Sequence, residues 1–169
     1  MAKERNFVVA LITLSCHLNV AAERESFHLR ASSYPGRESH SQAWEVVINE
    51  NGEVHQYLLG AGGKVRNESG SFLKRTGDTT INLDPSQLEQ LRGVVAACHF
   101  FTLKGASVSV FDSGTLVLEI SEGDSHNKVI FYNGSGMFEK GSNLKAFRGL
   151  WAKLCELVPP PTRAFRQDS

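Results

Sequence analysis

An α+β fold is predicted for this 169-residue chain: an antiparallel sheet of about four or more strands with two amphipathic helices on one face. Three observations predict it. Trp44–Ile48 and Thr115–Ile120 alternate with period two, and a turn signal and a return run follow each, so each opens a hairpin. Leu88, Leu91, Val94, Val95 and Cys98 recur at helical spacing, as do Leu144, Phe147, Leu150, Trp151, Leu154 and Val158. Both halves run strand, turn, strand, loop, helix, which suggests a duplicated ββα unit.

The N-terminal segment reads as a signal peptide. Lys3 and Arg5 supply a basic start, Phe7–Ser15 is apolar apart from Thr13 and Ser15, and Val20-Ala21-Ala22 offers small residues for cleavage after Ala22. The apolar run is far shorter than the ~20 residues that cross a bilayer. Export to the periplasm or beyond is therefore expected, with no transmembrane span in the mature chain. Thr13-Leu14-Ser15-Cys16 loosely matches a bacterial lipobox, which makes Cys16 a candidate for lipidation and anchoring.

Residues 23–43 are polar around Ser32-Ser33-Tyr34-Pro35-Gly36 and lack a sustained apolar period, so they read as a flexible arm. One domain is expected over 44–158. Pro159-Pro160-Pro161 cannot continue a helix, and 159–169 reads as a disordered Pro-rich tail.

Within the domain, Asn51-Gly52 marks a tight hairpin because both residues tolerate positive φ. Glu53–Leu59 is the return strand, and Gly60-Ala61-Gly62-Gly63 reads as a flexible loop. A shorter strand pair is expected to turn at Gly77-Asp78. Asp84-Pro85-Ser86-Gln87 starts the first helix: Asp84 caps, Pro85 suits the first position, and Gln87 closes a capping box. Glu122-Gly123-Asp124-Ser125 turns the second hairpin, and Ser142 is the expected cap of the second helix.

The helices align at a constant offset. Leu88, Arg92, Gly93 and Ala96 recur as Leu144, Arg148, Gly149 and Ala152. Both glycines lie away from the apolar face and read as relics rather than as close-approach sites. Leu116, Leu118, Ile120 and the helical faces should form the core, with Trp44 and Trp151 in it or at its rim.

Cleavage after Ala22 leaves sixteen basic and seventeen acidic residues, a net charge of −1. Nothing in that balance favours nucleic acid or an anionic membrane. Cys98 and Cys155 remain, an even count that suits a disulfide in an exported protein. No histidine pair has ligand spacing, and neither cysteine has a CxxC partner, so no metal or cofactor is expected. The glycine run before Lys64 lacks the first glycine and the Ser or Thr of a phosphate loop. Asp124-Ser125-His126 has the composition of a turn. No G-x-S-x-G frames a nucleophile. His28 and His40 fall in the arm, His126 in a turn, and His99 at a helix end where a cation suits the dipole. Glu45, Glu53, Glu119 and Glu122 read as solvated strand residues rather than catalytic carboxylates. Asn67-Glu68-Ser69 and Asn133-Gly134-Ser135 match the N-glycosylation pattern.

One resemblance is visible. It rests on Leu83-Asp84-Pro85-Ser86-Gln87-Leu88, Leu91, His99-Phe100-Phe101-Thr102-Leu103, and Asp112-Ser113-Gly114-Thr115-Leu116-Val117-Leu118-Glu119-Ile120. This pattern resembles small secreted bacterial proteins of unknown function that open with a hairpin like Val46–Tyr57. It is also similar to the emfourins, small protein inhibitors of thermolysin-like metalloproteases. The second resemblance implies a non-catalytic protein that blocks a protease, and it assigns no binding residues.

The sequence thus leads to the expectation of an exported, non-catalytic domain that binds a protein or envelope component. A small hydrolase acting on an envelope polymer and a structural envelope component are the rival expectations. The glycine-rich loops Gly60–Gly70, Lys104–Ser113 and Asn133–Gly141 would do the binding, with Phe111, Met137 and Phe138 as anchors.

Overall fold

The computed structural model describes residues 26–36, 42–66, 72–105, 114–132 and 142–161. Six strands form one antiparallel sheet: β1 (Phe27–Tyr34), β2 (Trp44–Ile48), β3 (Glu53–Arg66), β4 (Phe72–Asn82), β5 (Thr115–Glu122) and β6 (Ser125–Tyr132). Their spatial order is β4-β3-β2-β1-β5-β6. Helix α1 (Pro85–Ala97) follows β4 and helix α2 (Ser142–Leu157) follows β6. The α+β class is thus observed, with a larger sheet than the two hairpins alone would make.

The first correction concerns residues 23–43. Phe27–Tyr34 is not an arm but a central strand, paired with β2 on one side and β5 on the other. Phe27, Leu29 and Ala31 point one way and are buried, while His28, Arg30 and Ser32 alternate with them. Leu29 sits opposite Ile48 and Ile120, and Ala31 opposite Val46 and Leu118. These rows, with Val54, Val129 and Phe131, join Leu88, Leu91 and Val95 of α1 and Phe147, Leu150 and Leu154 of α2 in one buried cluster. Each Val, Leu, Ile or Phe side chain among them contributes roughly 1.5–3 kcal/mol on leaving water. Leu118 and Ile120 belong to that cluster as expected, whereas Leu116 is only partly buried against it. Val117 instead packs with Tyr34 and Leu59 in a second, smaller cluster.

The β2–β3 hairpin turns where Asn51-Gly52 places it, but through a wider loop. Gly52 N–H donates to Asn49 O at 3.0 Å and Asn49 N–H to Glu53 O at 2.9 Å. Gly52 alone takes positive φ (85°), and Asn51 uses its side chain to accept from Glu53 N–H at 3.0 Å. A Cβ at Gly52 would lie 2.7 Å from Leu83 O, so the turn is also clamped against the entry to α1.

Gly60–Gly63 is not a loop. It lies inside β3, which runs on to Arg66 with register shifts after Leu58 and Ala61. The glycines admit the neighbouring backbone: a Cβ at Gly63 would fall 1.8 Å from Leu73 O. Gly77-Asp78 likewise is no turn but the interior of β4, with Gly77 opposite Leu58 and Asp78 opposite Tyr57.

The start of α1 follows the sequence. Asp84 Oδ1 accepts from Gln87 N–H at 2.8 Å, and Gln87 Oε1 accepts from Asp84 N–H at 2.9 Å. Its end turns on His99, a left-handed residue at φ 51° and ψ 46°. His99 N–H donates to Ala96 O, and the chain continues into a 3-10 turn at Phe100–Thr102. His99 is therefore the residue that terminates the helix, at a conformation glycine adopts more easily. Asn127 on β6 holds the turn by donating to Phe100 O at 2.7 Å and Leu103 O at 3.0 Å.

The folded region also runs past Val158. Gln56, buried among core residues, donates to Pro159 O at 2.7 Å, and Pro161 is buried. Residues 1–22 and 162–169 lie outside the described residues, so the signal peptide, Cys16 and most of the tail do too.

Gly93 and Gly149 face open space, with nothing within 4 Å of a built Cβ. Replacing either with alanine should raise stability by about 1 kcal/mol, the helix-propensity difference. Urea denaturation of the two single variants checks this. An unchanged or lowered midpoint would show that something needs the bare backbone there.

Candidate functional site

The sheet brings charged residues from all six strands into one connected network. Strand alternation and register put Arg30, Glu45, Tyr57, Asp78, Glu119 and Lys128 on one side, opposite to the core rows. Glu45 is its centre, with a side chain only 4% exposed. Arg30 Nε donates to Glu45 Oε2 at 2.7 Å, and Arg30 NH2 lies 2.7 Å from the same oxygen. Arg75 donates to Glu45 Oε1 through Nε at 2.9 Å and through its terminal nitrogen as well. Both carboxylate oxygens are thus held by guanidinium groups.

The network continues on both sides. Arg75 stacks its guanidinium 3.8 Å above the Tyr57 ring, and His55 stacks on the same tyrosine with ring centroids 6.2 Å apart. His55 reaches Glu53 at 3.6 Å, Asp78 at 3.8 Å and the Thr80 hydroxyl at 3.3 Å. In the other direction Arg30 lies 3.7 Å from Glu119, which also meets His126 at 3.2 Å and Lys128 at 3.9 Å. Arg30 and Arg75 remain 37% and 52% exposed, so the network has a buried acidic centre and solvent-facing basic shoulders.

Local sequence explains each position but not the network. Glu45 sits at the second residue of β2, where the pleat aims it away from Val46 and Ile48. Its partners are fifteen residues upstream and thirty downstream. The reading of Glu45 as a solvated strand residue is therefore corrected: it is buried because two arginines from other strands cover it. Glu119 is part-exposed within the network, Glu53 pairs with His55, and Glu122 lies 3.7 Å from Arg92 Nε. His28 and His126, placed by sequence in an arm and a turn, are both strand residues, and both are exposed.

Cys98 and Cys155 are free thiols, so the expected bridge is not formed. Cys98 caps α1, and its thiol donates back to Val95 O at 3.3 Å. Burial pushes both thiols above the ordinary range, which keeps them protonated and weakly nucleophilic near neutral pH. Phe111, Met137 and Phe138 lie outside the described residues, as do the loop segments that carry them. Trp44 and Trp151 lie 5.5 Å apart against the core, as expected of rim residues.

A cleft of about 340 Å³ opens beside the sheet end, lined by Ser26, Phe27, His28, Asn49, Glu50 and Asn51. Among the described residues no group of three or more His, Cys, Asp or Glu could hold a metal ion. No described helix is long and apolar enough to cross a membrane. No family model matches the chain, and a comparison with curated proteins finds no match.

Proposed function

We propose that this chain is an exported, non-catalytic protein-binding module that docks through the charged side of its sheet. An inhibitor of a thermolysin-like metalloprotease is the sharpest form of that reading. The supporting observation is the Arg75–Glu45–Arg30–Glu119 network, which fixes alternating charges on a rigid sheet. Side chains already ordered lose little freedom on binding, and complementary charge selects the partner. Strand side chains also hold their positions better than loop side chains do.

The reading includes both helices lying on the other side of the sheet. In support, residues of α1 and α2 share one cluster with Leu29, Val46, Ile48, Leu118 and Val129. It includes a duplicated unit as well, though not the one read from the first hairpin. The strand order is symmetric about the β1–β2 pair, so β2-β3-β4-α1 would correspond to β1-β5-β6-α2.

Glu45 also weighs against the hydrolase alternative. A general acid or base needs an oxygen free to meet substrate. Both oxygens of Glu45 are taken by Arg30 and Arg75, and Glu119 is shared among Arg30, His126 and Lys128.

The test is a titration of the purified chain against a thermolysin-like metalloprotease, following peptide hydrolysis and the mass of the chain. Stoichiometric loss of protease activity with the chain intact supports the inhibitor. A chain that is cleaved, or that leaves the activity unchanged, sinks that form of the reading. Hydrolysis of an envelope polymer by the chain itself would replace it with the hydrolase.

A further inference from the structure

The two edges of the sheet differ. At β6 the chain covers its own edge: Asn127 holds the 3-10 turn through Phe100 O and Leu103 O, and a Cβ on Gly105 would lie 2.8 Å from Ile130 O. β4 is the other edge, and among the described residues no strand lies beyond it. It is eleven residues long, and β3 takes one side of its backbone. The outer side of such a strand carries N–H and C=O groups that another strand can complete. Arg92 lies over Phe27 and 3.7 Å from Glu122, Phe147 meets Phe131, and Trp151 meets Trp44. These contacts anchor the helices toward the middle and the β6 half of the sheet.

The side-chain order along β4 is self-complementary. Leu58 lies opposite Gly77 and Leu59 opposite Arg75, so Thr76 is an extra residue in the ladder. That shift brings Arg75 and Asp78 onto the same side of the sheet: Arg75 reaches Glu45 and stacks on Tyr57, and Asp78 lies 3.8 Å from His55, which stacks on the same ring. Leu73 and Thr80 fall on that side too, Leu73 against the cluster of Tyr34, Leu59 and Val117, and Thr80 beside His55. Lys74 and Thr79 alternate to the helix side. An antiparallel pair sets residues of one side opposite each other. Two copies of β4 related by a two-fold axis meet that condition when Arg75 of each lies opposite Asp78 of the other. Lys74 then faces Thr79, and Leu73 faces Thr80. Each copy offers a cation where the other offers an anion, so the match is one of position and not of net charge. Arg75 and Asp78 are 52% and 58% exposed. Glu45 takes Nε and one terminal nitrogen of Arg75, whose guanidinium carries five donors.

We infer that β4 is the contact through which a second copy of this chain extends the sheet, giving a two-fold dimer with one continuous sheet. A two-fold contact uses the same patch on both copies, and a self-complementary order is what it requires. Opposite charges on facing strand positions stabilise such a pair, and like charges there destabilise it. Because facing residues share a side, the charged sides of both copies point the same way, and the Glu45 network is presented twice on one surface. This goes beyond the protein-binding reading and does not depend on it.

Sedimentation velocity of the purified chain over a concentration series should show a monomer–dimer equilibrium. Asp78→Lys puts a cation opposite Arg75 at two places and should weaken the dimer by about tenfold or more, with an unchanged circular dichroism spectrum. The double variant Lys74→Cys, Thr79→Cys tests the register. These positions lie about 15 Å apart along the strand, too far to bridge within one chain. Mild oxidation should therefore link two copies, seen as a dimer band on a non-reducing gel. The parent, with Cys98 and Cys155, and Lys74→Cys alone should not link. A chain that stays monomeric across the series overturns the inference. So does a folded Asp78→Lys variant that dimerises as tightly as the parent. Failure to link a folded double variant, or equal linking of Lys74→Cys alone, overturns it whatever Asp78→Lys does, which covers the case of an Asp78→Lys variant that does not fold. The protease titration bears on none of these outcomes.

Discussion

Deletion of residues 27–34 should leave a chain that does not fold cooperatively. β1 is the only described strand that joins the β4-β3-β2 half of the sheet to the β5-β6 half. It pairs along five positions with β2 and eight with β5, so its loss leaves two new sheet edges of unpaired backbone. It also removes Phe27, Leu29 and Ala31 from the middle of the main core. Domains of this size are stable by only ~5–15 kcal/mol, and losing the central strand exceeds that margin. A milder variant grades the effect. Leu29→Ala should cost about 2–5 kcal/mol, while exposed His28→Ala, one residue away, should stay within about 0.5 kcal/mol. Urea unfolding followed by circular dichroism measures all three. A deletion variant that keeps a cooperative transition near the parent midpoint would mean that β1 adds to a sheet already complete without it.

That strand was illegible in the sequence for a physical reason. Its core side offers only Phe27, Leu29 and Ala31, and its other side offers His28, Arg30 and Ser32, which locally resemble a solvated segment. Arg30 belongs in the sheet because Glu45 and Glu119 meet it there, and neither is near it in sequence. Glu45 fails to show for the same reason: nothing around it announces two arginines from β1 and β4. The glycines of β3 mislead differently. Gly60–Gly63 has the composition of a loop, yet the absent Cβ at Gly63 is what lets β4 approach. By contrast the start of α1 was fully legible, since Asp84, Pro85 and Gln87 act within one turn of each other. The Asn51-Gly52 hairpin was legible for the same reason, apart from its width. Local chemistry could be read from order alone, whereas the candidate site, built from contacts between strands, could not.

Phe147→Ala should destabilise the fold by about 3–5 kcal/mol, the usual cost of emptying a fully buried aromatic site. Phe147 is 1% exposed and sits where α2 meets the sheet. Its ring centroid lies 4.6 Å from Phe131 on β6 and 5.7 Å from Trp151 one turn further along α2. Trp151 in turn lies 5.5 Å from Trp44 on β2, so a run of rings connects β6, α2 and β2 across the core. Each aromatic pair adds roughly 0.5–1.5 kcal/mol beyond the area it buries. The neighbouring residue provides the control: Arg148 is exposed, and Arg148→Ala should change stability by less than about 0.5 kcal/mol. Phe147→Leu keeps most of the volume but neither ring contact, so its cost should fall between the two. Tryptophan fluorescence gives a second readout, because Trp44 and Trp151 report on the same ring contacts that the substitution disturbs. A Phe147→Ala cost below about 1 kcal/mol would mean that α2 is not seated on the sheet through this residue, and the shared core would then have to be redrawn around Leu150 and Leu154.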